Sequence, residues 1–191
     1  MDQLTRRLLD AQGGDREALE RFVAATHDDV VALCRYLGDP DSADDLAQEA
    51  YERAFASLHR YRATGPAKHW LLTIARRTCA DETRRRSRRR RTERRVLDQP
   101  DAPVLTTADS TPPELDELLH QLDPDRRAAF VLTQLNGLRY EEAAELLGVP
   151  IGTIRSRVAR ARDQLMAAIS AAHAAADGPG REPEQRFRRP G

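Results

Sequence analysis

An all-α fold, two small helical domains joined by a flexible linker, is what this sequence predicts, and three observations carry the prediction. Apolar residues recur at spacings of three and four along most of the chain. Arg, Ala, Leu, Asp and Glu dominate while aromatics make up only 5%, a composition that favours helices over sheets. Finally, a stretch rich in Pro, Asp, Thr and Ser near residue 100 separates two blocks of helical pattern. A length of 191 residues suits one or two small domains.

No apolar run approaches the roughly 18 residues that a membrane span needs. The start, MDQLTRRLLD, lacks the apolar core of a signal peptide, so a soluble cytoplasmic protein without membrane insertion is expected. Cys34 and Cys79 lie far apart inside helical patterns and read as reduced core thiols. The net charge of zero conceals blocks. Residues 1–59 hold six basic side chains against thirteen acidic, and 60–95 hold fourteen against three. Residues 96–152 hold three against eleven, and 153–191 eight against four. Alternating acidic and basic blocks predict modules that each offer one face to a polyanion and another to a basic partner.

In the first block, Leu19, Phe22, Val23, Val30, Val31, Leu33, Cys34 and Leu37 trace an amphipathic helix, or two joined near His27, stopped by Gly38 and Pro40. A new helix starts after Ser42, a candidate N-cap, with Asp44 and Asp45 in the first turn where the helix dipole favours acids. The loop HRYRATGPAKH leads into a third helix, apolar at Trp70, Leu71, Ile74, Ala75 and Cys79 and increasingly basic up to RRRSRRRRTERR (84–95). That run reads either as the solvated end of the helix or as sequence-independent attraction to DNA phosphates. The second block opens with LDELLHQL and a helix with Asp123 as N-cap, Pro124 at the first position and Gly137 as stop. Helices over about 140–147 and 153–168 then flank GVPIG, with small Ala143 and Ala144 for close approach and Gly148 for a left-handed turn. This is a helix-turn-helix, the geometry that sends its second helix into the DNA major groove.

At about 100° per residue, Ile154, Val158, Ala161 and Leu165 form the buried stripe of that second helix. Arg155, Ser156, Ala159 and Arg160 point away from the stripe, in the half of the helix that meets base edges. Arginine pairs bidentately with guanine, serine accepts several partners, and an alanine methyl can lie against thymine. Arg157 and Arg162, nearer the boundary, are placed for phosphates.

YEEAAELLGVPIGTIRSRVARAR resembles the −35-binding region of bacterial RNA polymerase sigma factors of the compact extracytoplasmic-function (ECF) class. SADDLAQE followed by AF and WLLTIARR resembles the family's region 2. The resemblance implies region 2 over 1–95, a linker over 96–113, region 4 over 114–170 and a disordered tail over 171–191. It implies that Asp44, Asp45, Leu46, Gln48, Glu49 and Phe55 bind bacterial core RNA polymerase. Tyr61, Arg62, Lys68, His69, Trp70, Arg76 and Arg77 would handle the −10 element of promoter DNA, and Thr153, Arg155, Ser156, Arg157, Ala159 and Arg160 the −35 element. An anti-sigma protein is the further partner implied; no cofactor, metal or catalytic activity is. Trp70 reads equally as a core anchor. A stand-alone helix-turn-helix regulator is the alternative, but it leaves the acidic helix without a task. A metal-dependent enzyme using Asp44, Asp45 and Glu49 lacks any supporting ligand set.

Overall fold

The computed structural model describes residues 1–97 and 115–176. The described residues fold into eight α-helices with no strand. In the first module these are α1 (Gln3–Gln12), α2 (Arg16–Leu37), α3 (Ala43–Ser57) and α4 (Ala67–Leu97). In the second they are α5 (Leu115–Gln121), α6 (Pro124–Phe130), α7 (Tyr140–Leu147) and α8 (Ile151–Ala176).

The pattern from residue 16 to 37 is one continuous helix rather than two. Asp15 caps it, accepting from the Ala18 N–H at 2.9 Å. Phe22, Val30, Leu33 and Cys34 on its inner face are buried against α3 and α4. Gly38 ends it where no side chain fits: an added Cβ would sit 2.6 Å from the Cys34 carbonyl oxygen and 2.7 Å from Leu46 Cδ1. Ser42 does not cap α3; its hydroxyl instead donates to Asp39 at 2.9 Å, within a short 3-10 turn. Asp44 and Asp45 do occupy the first turn.

α4 continues to Leu97, past the end of its apolar pattern. Its basic extension is held partly by carboxylates: Arg84 pairs with Asp81, and Arg86 with Asp39 and Glu82. Arg53 of α3 bridges Glu49 at 2.6 Å and Asp81 at 2.9 Å, tying the acidic helix to α4. The expected linker lies, beyond Leu97, outside the described residues. α8 passes the expected boundary at 170 and ends at Ala176; the rest of the tail is outside the described residues.

In the second module Asp123 caps α6, and the helix widens into a π turn over Val131–Leu135 before Gly137 turns the chain at φ +67°. The modules pack on each other. One continuous apolar core runs from Leu33 and Leu72 of the first to Leu132, Leu138 and Leu146 of the second. Tyr36 of α2 sits in a neighbouring cluster with Leu118, Leu119, Leu122 and Val131. Among the described residues, no helix is long and apolar enough to cross a membrane.

Candidate nucleic-acid interface

The helix-turn-helix is set by backbone geometry. α7 ends at Gly148, whose φ of +67° and ψ of +36° are left-handed, and whose N–H reaches back to the carbonyls of Ala144 and Glu145. The Val149 N–H also returns to Ala144 (3.1 Å), and the Val149 side chain packs on the core. At the other end of α7, Glu142 accepts from the Arg139 N–H at 2.8 Å and pairs with its guanidinium. That pairing holds the Glu142 carboxyl below its usual range.

On α8, Ile154, Val158, Ala161 and Leu165 are buried, as the periodicity predicts. Arg155, Ser156, Ala159 and Arg160 are all exposed. Ser156 Oγ donates to the Thr153 carbonyl at 3.0 Å, which leaves its lone pairs free. Thr153 itself is half-buried. Arg157 is tied to Asp125 at the start of α6 and Arg162 to Gln134, so both brace the module. Arg155 and Arg160 therefore have the freest guanidinium groups on this face.

The second basic surface is a cradle at the start of α4. α1 fixes its loop: Gln12 Nε2 donates to the Leu58 and Tyr61 carbonyls (2.8 and 3.1 Å), and Thr5 Oγ1 accepts from the Ala67 N–H at 3.0 Å. Asp2 caps α1 and accepts from the Thr5 hydroxyl, so the N-terminus of the chain anchors this loop. Within it Ala63 has φ +51°, a conformation costing an L residue roughly 1–2 kcal/mol.

The cradle is a cavity of about 600 Å³ whose walls include Tyr61, Arg62, His69, Trp70 and Arg77. Tyr61 is itself buried: its ring lies 5.0 Å from that of Trp70 and its hydroxyl donates to the Gly65 carbonyl at 2.9 Å. It forms the floor of the cradle rather than a free stacking platform. Trp70, half-buried, serves as core anchor and wall together. Lys68 is paired with Asp29 of α2 at 2.7 Å. His69 Nε2 and Arg76 Nε are buried without a hydrogen-bond partner among the described residues. Arg76 does not open into the cradle but lines a smaller cavity with Arg127 and Asp125 of the second module.

On α3, Asp44, Asp45 and Gln48 are exposed. Glu49 is half-buried in its pair with Arg53, and Leu46 turns inward as core. Phe55 lines an apolar groove of about 560 Å³ with Leu19, Val23 and Ala24 of α2. Three features went unread in the sequence: α1 as loop anchor, the docking of the modules, and the buried Asn136 that joins them. An Asn between Leu135 and a turn glycine looks like ordinary turn chemistry.

A helical chain with a helix-turn-helix in one module and a basic, aromatic cradle in the other has the build of a two-site DNA-binding transcription factor. Comparison with known proteins makes the class specific. The sequence profile of sigma-70 region 2 matches residues 22–89, and that of sigma-70 region 4 matches 113–165. The ECF RNA polymerase sigma factor SigC of Mycobacterium tuberculosis is 43% identical over 170 residues, 87% of this chain and 91% of that one. EcfG of Rhodopseudomonas palustris, another ECF sigma factor, is 34% identical over 140 residues, 69% of this chain and 74% of the relative. Among solved structures, CnrH in complex with the cytosolic domain of CnrY gives a TM-score of 0.66 at 25% identity, covering 89% of this chain and 99% of that one. The sigma factor RpoE of Bartonella quintana, solved with the anti-sigma factor NepR, gives 0.62 at 28% identity, covering 80% and 96%. The chain belongs to the ECF family of RNA polymerase sigma factors, and its function is to direct transcription initiation.

Proposed function

We propose that the two modules divide the work of a promoter-directing sigma factor. The first, taken as 1–95, docks on core polymerase through the exposed acids of α3 and holds the −10 element in the cradle. The second, 114–170, reads the −35 element through α8. Residues 96–113 link them. The observation that carries this reading is the outward face of α8, where Arg155, Ser156, Ala159 and Arg160 are exposed together above a fully buried stripe. Arg155 and Arg160 are the base-reading pair; each good bidentate contact is worth about 1–3 kcal/mol of discrimination. Arg62 and Arg77 hold −10 phosphates, and α3 brings charge steering and, next to Phe55, an apolar groove for a partner side chain. The chain performs no catalysis of its own. A dedicated anti-sigma protein controls it, as the complex of RpoE with NepR supports for that relative.

Run-off transcription with purified core polymerase on a library of genomic fragments tests the reading. Arg155→Ala with Arg160→Ala should abolish −35-dependent initiation while the chain still comigrates with core polymerase. Asp45→Arg with Gln48→Arg, both exposed on α3, should lose comigration and keep −35 binding. Equal loss of polymerase binding in both pairs would refute the division of labour.

A further inference from the structure

The loop of the cradle is gripped at both ends by one face of α1. Thr5, Leu8 and Gln12 follow each other at spacings of three and four, so they share a side of the helix. Leu8 is fully buried and fixes the helix in the core. Thr5 and Gln12, seven residues apart, stand about 10 Å from each other along the axis. Gln12 holds the entrance of the loop, where its Nε2 donates to the carbonyls of both Leu58 and Tyr61. Thr5 holds the exit: its buried hydroxyl accepts from the Ala67 N–H and donates to Asp2 at 2.6 Å.

Both grips meet a need of the loop. Ala67 is the first residue of α4, and its N–H is one of the donors that a helix leaves without an internal partner. α4 has no acid in its first turn, and Pro66 before it carries no side-chain oxygen to cap with. The acceptor comes instead from 62 residues away. Between the grips, Ala63 stands at φ +51°, a conformation that persists only where the surroundings over-determine it. The Tyr61 hydroxyl, donating to the Gly65 carbonyl, closes the loop across this residue. Arg62, Thr64 and Gly65 at the tip are exposed and line the cavity. Among the described residues, α1 contributes none to that wall; it shapes the loop from behind.

We propose that Thr5 and Gln12 are positioning residues for −10 capture: α1 is a splint that holds the loop in its binding shape before DNA arrives. The proposal rests on the reading of the cradle as the −10 site. A preformed loop removes its own ordering cost from binding. A loop competent only about a tenth of the time binds about tenfold more weakly.

The test uses holoenzyme assembled from core polymerase and the full-length chain carrying Thr5→Val, Thr5→Ser or Gln12→Met. Valine keeps the shape of threonine without the hydroxyl, and methionine keeps the length of glutamine without the amide. The probe is a fluorescein-labelled single strand with the −10 region of a promoter recovered from the run-off library, read by anisotropy. Thr5→Val and Gln12→Met should each weaken its binding about tenfold. Comigration with core polymerase and gel shift of a −35 duplex should stay at the wild-type level. Thr5→Ser, which retains the hydroxyl, should bind as the wild type does. Unchanged strand binding in Gln12→Met overturns the splint, and so does an equal fall in −35 binding, which would mark α1 as general scaffolding. A serine variant as weak as the valine one overturns the hydrogen-bond account. Should Thr5→Val fail to fold, Gln12→Met, at the last residue of α1, decides alone. Failure of the underlying reading looks different: wild-type holoenzyme would then hold a scrambled strand as tightly as the −10 strand.

Discussion

Replacing Gly148 by valine isolates the contribution of one backbone angle to DNA reading. Gly148 stands at φ +67°, and an added Cβ there would meet nothing within 4 Å. The substitution therefore introduces no clash with a neighbour and removes no contact; its cost is conformational. An L residue in the left-handed region costs roughly 1–2 kcal/mol, with a β-branched side chain at or above the upper end. At a cost of about 2 kcal/mol and an m-value of about 1–3 kcal/mol per molar urea, the unfolding midpoint should fall by roughly 0.7–2 M with unchanged slope. Asparagine tolerates this conformation, so Gly148→Asn should recover most of the loss. Urea unfolding followed by far-UV circular dichroism gives the stability, and gel shift on a −35 fragment gives the reading of DNA. Equal losses for Asn and Val would refute the argument, since the penalty would then not come from the turn.

Acid should weaken the contact that Asp116 of α5 makes with Tyr36 and Arg35 of α2 in a defined window. Its hydrogen bond from Tyr36 holds the Asp116 carboxyl below the usual carboxylate range; burial and the same bond push the Tyr36 hydroxyl up to about 12. A depressed carboxyl contributes stability above its unfolded pKa of about 4, and the contribution is lost as pH falls through the folded value. Asp116→Asn should therefore be less stable than wild type near neutrality, and the gap should close as pH falls below the usual carboxylate range, as read by urea midpoints across that range. Cys34 and Cys79 are buried, and hydrogen bonding of the Cys34 thiol to Cys79, together with burial, raises that thiol well above its ordinary value. Iodoacetamide should label neither in the native chain and both after denaturation, as counted by mass spectrometry.

Much of this molecule was legible before any coordinates. The stripe of Ile154, Val158, Ala161 and Leu165 and the turn at Gly148 are local: period and glycine chemistry alone define them, and the structure has both. The exposed face of α8 follows from the same period. Ser42 misled because N-cap preference says which residues suit a cap, not which competitor is near; Asp39 takes its hydroxyl. Leu46 and Tyr61 read as surface ligands, yet both are buried, because one motif can serve packing and recognition at once. What pattern cannot carry is pairing over long sequence separation. Asn136 with Asp29 and Asp116 with Tyr36 join residues 107 and 80 apart, and no periodicity marks them.

The chain contains a single tryptophan, and it stands in the cradle wall against Tyr61. Its emission is an intrinsic gauge of that one place, with no second indole to dilute the signal. Nucleotide entry would change the polarity around the ring, so a spectrofluorometer could follow promoter capture on unlabelled protein in real time.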